Sequence, residues 1–250
     1  MTTRNNQTYK PLGSAGITIL SFRFFIIVYS GILTILVFLI PSIAPLYITL
    51  MEVSTYLSWI SSLLFMIFIF ITFQRMDRNT QLTPENRNQV KIGIMSSLIL
   101  IIILSIFGIM YFIFMTLYID LGIISFSITM AYIFLYTLIA LEILNGIFFL
   151  LTFLILSKIL SRFEKLRDLR IFMKFTVIFG IFTAITHLFL GLSLLFVLLF
   201  VFIGISNPIL EQIGLILTYS GSLFGGIAGI CEIILSVGFI LIAKRLQTIQ

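Results

Sequence analysis

The chain has 250 residues, 60% of them hydrophobic and only 10% charged, with a formal net charge of +6 and a mean hydropathy of +1.24. A soluble domain normally carries charge on about a quarter of its residues, so this composition excludes one and sends most of the chain into lipid or against other apolar helices. Cys231 and His187 are the only residues of their kinds, which excludes an intrachain disulfide, a Cys-x-x-Cys redox pair, an iron–sulfur site and a bis-histidine haem.

A polar stretch, MTTRNNQTYKPLGSAG, opens the sequence. No small-residue cleavage site follows a short apolar region, so residues 1–15 read as a tail ahead of an uncleaved first span. Six apolar runs follow, near 16–40, 46–73, 92–117, 123–156, 175–205 and 213–243. Each reaches the roughly 20 residues that a helix needs to cross a bilayer core. The runs are continuous and do not alternate, which favours helices over a barrel. The expectation is an all-α integral membrane protein with a six-span domain over 16–243 and a second tail over 244–250.

Taken in order, the first span holds Arg23, placed one or two turns from a membrane face, where its side chain can snorkel to headgroups. A contact with Glu142 or Glu232, or with an anionic substrate, is the alternative. Pro41 and Pro45 bracket the first turn, and Glu52 begins the second span near the opposite interface. The next connection contains Thr83-Pro84-Glu85, a helix start. Span four carries Glu142 with Asn145 and Gly146 one turn on, a small polar patch. After it comes SKILSRFEKLRDLRIFMK, whose Ile159, Leu160, Phe163, Leu166 and Leu169 recur at helical spacing. This predicts that span four continues as an amphipathic surface helix with a basic face of Lys158, Arg162, Lys165, Arg167, Arg170 and Lys174. That face reads as a topology signal against anionic lipid, or as a docking surface for a motor protein or nucleic acid.

In span five, Gly180, Thr183, His187 and Gly191 share a stripe, which turns His187 inward. In span six, Gly221, Gly225, Gly229 and Glu232 fall within about 80° of one another at 100° per residue. Such a glycine ladder permits close helix contact and turns Glu232 toward a partner helix. Fourteen of the 15 Lys and Arg residues lie in the two tails and the 2–3 and 4–5 connections. The positive-inside rule assigns that side, and both termini, to the cytoplasm of a cell membrane.

Counting along the helices puts Glu142, His187 and Glu232 near mid-bilayer, where a charge costs about 2.5–3.5 kcal/mol on insertion scales. Two readings follow. One is a proton- or cation-handling cluster; the other is protonated carboxyls and a neutral imidazole hydrogen-bonded between helices to fix packing. Glu52, Glu142 and Glu232 are spaced by 90 residues both times, and Gly16, Gly31, Gly93 and Gly108 recur in pairs, a hint of a triplicated hairpin. A lone histidine builds no H-E-x-x-H zinc site, and no metal, cofactor or P-loop is indicated. His187 and Ser193 sit six positions apart on one helix, separated by about 240° of rotation and about 9 Å, so they share no proton. A non-enzymatic membrane component is expected.

Three functions fit: a transport or translocation component, a proton- or cation-coupled small-solute carrier, and an accessory subunit whose polar groups serve packing. Six spans without a soluble domain or ATPase motif, and Ile-rich, nearly Cys-free runs such as SSLILIIILSIFGI, resemble polytopic archaeal membrane proteins. In size and span number the chain is similar to the membrane component of the crenarchaeal DNA-import (Ced) system. That resemblance implies a channel subunit for DNA, partnered by small membrane subunits and a cytoplasmic ATPase, with a homo-oligomer as a further option.

Overall fold

The computed structural model describes residues 9–40, 44–78, 83–115, 128–202 and 208–247. They form α1 (Lys10–Leu39), α2 (Ala44–Asp77), α3 (Pro84–Met115), α4 (Ile128–Ser161), α5 (Arg170–Phe202) and α6 (Pro208–Gln247). All six are long and apolar enough to cross a membrane. The chain is an all-α, six-span membrane protein. Helices of 30 to 40 residues run about 45–60 Å at 1.5 Å per residue, so they extend past a hydrocarbon layer of about 30 Å.

Local chemistry sets the helix ends. α1 starts at Lys10, ahead of the expected 16, with a proline in its first turn where a missing N–H costs nothing. It stops at Ile40, which has left the helical region (φ −134°, ψ 80°) and precedes a proline, before which helical backbone is disfavoured. Pro41 itself lies outside the described residues, as do Asp120 and the expected span ends over 116–127 and 203–207. α3 begins at Pro84, where the Thr83-Pro84-Glu85 spacing puts it, and the Thr83 hydroxyl accepts from the Asn86 N–H at 3.4 Å.

Each helix packs on its chain neighbours, and α1 packs on α6, so the six close into a ring in chain order. Gly16 is one seam of that ring: a methyl there would overlap the Ser236 carbonyl oxygen, so α1 and α6 cross backbone to backbone. Gly13 meets Ala243 on the same seam, which brings the described chain ends to one end of the bundle, with the basic segments. Gly108 makes a second seam by leaving room for the Trp59 indole, whose Nε1–H donates to the Leu104 carbonyl at 2.7 Å.

Near the basic end, apolar side chains fill the ring. Phe65 stacks on Phe153 and Phe239 with centroids 5.8 and 6.1 Å apart, and Phe179 meets Phe153 edge-on at 4.9 Å. Such pairs contribute about 0.5–1.5 kcal/mol each beyond their burial. Leu12, Met76, Leu156 and Leu160 are fully buried around them. Two polar contacts tie this half: Thr152 donates to the Ser96 hydroxyl at 2.9 Å, and Ser157 to the Met173 carbonyl at 2.9 Å.

The segment after α4 corrects the sequence expectation. α4 ends at Ser161, Phe163 is extended (φ −82°, ψ 110°), and Glu164–Leu169 forms a short 3₁₀ turn before α5. A straight continuation would carry Phe163 and Leu166 out past the bundle. Folding back instead buries Leu166 completely and sets Phe163 edge-on to Tyr9 at 5.8 Å, and removing apolar area from water favours that path.

Candidate functional site

Above the aromatic core the ring holds a cavity of about 480 Å³, lined by residues of all six helices. Two acid–base pairs bound it. On one wall, the Glu142 carboxylate of α4 accepts from His187 Nδ1 of α5 at 2.6 Å. The Asn145 amide Nδ2 lies 3.2 Å from His187 Nε2 and 3.5 Å from Nδ1; the neutral tautomer with its proton on Nδ1 satisfies both neighbours, donating to Glu142 and accepting at Nε2 from Asn145. Phe149 stacks on the imidazole with centroids 5.8 Å apart. The line Glu142–His187–Asn145 is therefore a carboxylate, a proton and an acceptor nitrogen held in sequence.

Small residues make this wall. A methyl on Gly146 would lie 3.0 Å from the Ala184 carbonyl and 3.2 Å from His187 Cβ; one on Gly191 would lie 3.5 Å from Glu142 Cβ. Gly180 likewise sits against Phe153. These positions let α4 and α5 approach until a short carboxylate reaches an imidazole. Glu142 and Asn145 are 7% and 6% exposed, while the His187 side chain keeps 19% of its surface open.

On the opposite wall, Arg23 Nε of α1 donates to Glu232 Oε2 of α6 at 2.6 Å, and its Nη1 donates to the Ser58 hydroxyl of α2 at 3.0 Å. The snorkelling reading of Arg23 thus gives way to the ion pair. Arg23 lies 13 residues into α1, which begins at Lys10, about 20 Å along the helix. From there, pairing with a buried carboxylate satisfies the charge better than reaching for headgroups.

With Arg23, the three ionisable groups therefore form two pairs across a cavity, not one cluster. Both acids reach the first helix of the next hairpin around the ring, α4 to α5 and α6 to α1. Glu52 falls in α2, where its side chain lies outside the described residues.

The glycine ladder of α6 divides in two. Gly221 and Gly225 meet Phe189 and Thr186 of α5, whereas Gly229 has nothing within 4 Å of where a side chain would begin and lines the cavity. The reading of Gly229 as a packing residue is corrected: α6 leaves α5 below Gly225, and the gap is the cavity. Ser193 donates to Thr218 at 2.6 Å, and Thr218 in turn donates to the Gly214 carbonyl, so that hydroxyl is engaged away from His187.

Two buried oxygens have no partner here, Asn145 Oδ1 and Thr183 Oγ1, and both residues line the cavity. An orphaned buried acceptor costs about 1–3 kcal/mol. Among the described residues no group of three His, Cys, Asp or Glu side chains could hold a metal ion.

At the basic end Lys158, Arg162, Arg167, Arg170 and Lys174 are exposed, while the Lys165 side chain lies outside the described residues. Arg162 pairs with Glu85 at 2.9 Å and Arg245 with Asp168 at 3.7 Å.

Sequence reasoning named Glu232 only as one alternative contact of Arg23, and it missed Ser58. Ser58 stands in a run of small polar residues, YLSWISS, which reads as interhelical filling, and nothing local points it at α1. Comparison with protein-family models, with curated proteins and with solved structures found no match.

Proposed function

We propose that the protein is a proton-coupled membrane carrier for a small solute, with the Glu142–His187–Asn145 line as its proton-handling element. The observation that carries this reading is the 2.6 Å carboxylate–imidazole contact beside a cavity inside a six-helix ring. A neutral imidazole held by a carboxylate on one nitrogen offers its other nitrogen to an arriving proton. The carboxylate then balances the imidazolium. Arg23 and Glu232 neutralise each other and shape the facing wall. We place the basic end in the cytoplasm on the positive-inside rule.

The test is proton flux into liposomes containing the purified chain, driven by an imposed pH gradient. Glu142→Gln and His187→Gln each reduce the flux at least about tenfold while the proteins stay folded. Flux that survives both substitutions rules this reading out.

A translocation subunit for DNA is the second reading. It is supported by the outline resemblance to the DNA-import membrane component and by the exposed basic face around Arg167, Arg170 and Lys174. On this reading the aromatic core near the basic end leaves nucleic acid to pass between copies and not through one ring. Co-purification in mild detergent with a cytoplasmic ATPase and small membrane subunits supports it; recovery of the chain alone counts against it.

A further inference from the structure

Resting on the carrier reading, we infer that the cavity binds a small organic primary ammonium ion, and that this ion and a proton on His187 exclude one another. The cavity volume of about 480 Å³ falls in the range of small-molecule sites, about 300–1,000 Å³. Asn145 and Thr183, 6% and 9% exposed, each bring an unpartnered oxygen to its lining. Asn145 Oδ1 lacks a donor, and the Thr183 hydroxyl, which has no partner of either kind, can accept from one. An ammonium group carries three donors and no acceptor.

Charge selects the same ligand. The groups facing His187 are Glu142 from α4, Glu232 from α6 and Arg23 from α1. Among the described residues, α2 and α3 present no titratable side chain to the cavity. Counted with the imidazole neutral and both carboxyls ionised, two carboxylates stand against one guanidinium, one positive charge short. Phe149 and Phe179 also line the cavity and suit both an apolar body and a cation held against a ring face. A bare metal ion fits poorly, because hard cations take about six or more oxygens and the two unpartnered oxygens fall well short.

Exclusion follows from the Asn145 amide. While His187 is neutral, Asn145 Nδ2 donates to Nε2 and Oδ1 is left for the ammonium. When Nε2 gains a proton it becomes a donor and needs Oδ1. The amide then turns over, the acceptor is consumed, and an N–H replaces it at the ligand. The added charge repels the ammonium as well. Binding one ammonium ion to the form protonated on Nε2 therefore releases that proton, binding to the neutral form releases none, and protonation expels the amine.

The experiment is calorimetric titration of the intact detergent-solubilised chain with phenethylamine, with phenethyl alcohol as the neutral counterpart. Runs span about pH 5 to 8, the range over which an imidazole changes charge, in buffers of different ionisation enthalpy. The expected result is saturable amine binding that weakens about tenfold or more toward the acid end, with proton release rising from about zero at the alkaline end toward one per amine at the acid end, and no binding of the alcohol. Thr183→Val, nearly the same size, weakens amine binding about tenfold with an unchanged melting temperature. In His187→Gln the proton release falls to zero. Absence of amine binding, equal binding of the alcohol, pH-independent affinity, or indifference to Thr183→Val overturns the inference. If amine binding fails while Glu142-dependent proton flux persists, this inference falls and the carrier reading stands; loss of that flux as well overturns both.

Discussion

Arg23 and Glu232 are separated by 209 positions in the chain and by 2.6 Å in the fold. Breaking a buried pair costs about 3–5 kcal/mol because one charge is left uncompensated, whereas replacing both partners by apolar residues is often neutral. Arg23→Leu therefore lowers the unfolding free energy in detergent by about that amount, and adding Glu232→Leu restores most of it. A double variant no more stable than the single one contradicts the pairing. The inward face was legible in the sequence at this scale. Counting residues along a helix is enough to turn Glu142, His187 and Glu232 inward. Partnership was legible only as a choice, Glu142 or Glu232 for Arg23, because helix-face arithmetic orients a side chain on its own helix and says nothing of which helix it meets. The same limit hid Ser58, whose hydroxyl matters only because Arg23 arrives beside it.

Helix crossings separate the glycines by role. Gly16→Val pushes a branched side chain into the Ser236 carbonyl of the neighbouring helix, with an overpacking cost of about 1–3 kcal/mol. Gly229→Ala meets open space and gains helix propensity of about 0.8–1 kcal/mol, so its melting temperature does not fall. Thermal unfolding of the two variants in one detergent checks the contrast. Both glycines look alike in sequence, one in a spaced pair and one in a ladder, since periodicity shows a small face and not whether another helix occupies it. The turn after α4 was misread for a related reason. Helical spacing of Phe163 and Leu166 also fits a chain that folds back over the bundle end, and Tyr9 is what Phe163 finds there. Burial raises the Tyr9 phenol to about 12. An unfolded phenol ionises near 10, so the unfolded chain loses that proton first and stability falls as pH climbs from about 10 to 12. Tyr9→Phe makes that alkaline fall shallower in a denaturation series.

For the whole molecule, composition and continuous apolar runs fixed the class and the six spans in advance, because lipid leaves few alternatives to a helix. Closure of those spans into a ring was not readable, since it depends on α1 meeting α6 across nearly the full chain length. The orientation rests on charge asymmetry. In a Cys231→Ala background, Lys174→Cys is labelled by a membrane-impermeant maleimide in inside-out vesicles and spared in right-side-out ones; the reverse pattern inverts the topology. The ring gives the deep polar groups their meaning: it sets a carboxylate, an imidazole and a cavity together behind a closed aromatic floor. The most direct test of that account is an infrared difference spectrum of the lipid-reconstituted protein between alkaline and acidic pH. The account predicts carboxyl and imidazole bands that change with pH in the wild type, with both sets altered in Glu142→Gln and in His187→Gln. Difference spectra identical in all three proteins would mean that no proton moves at this pair.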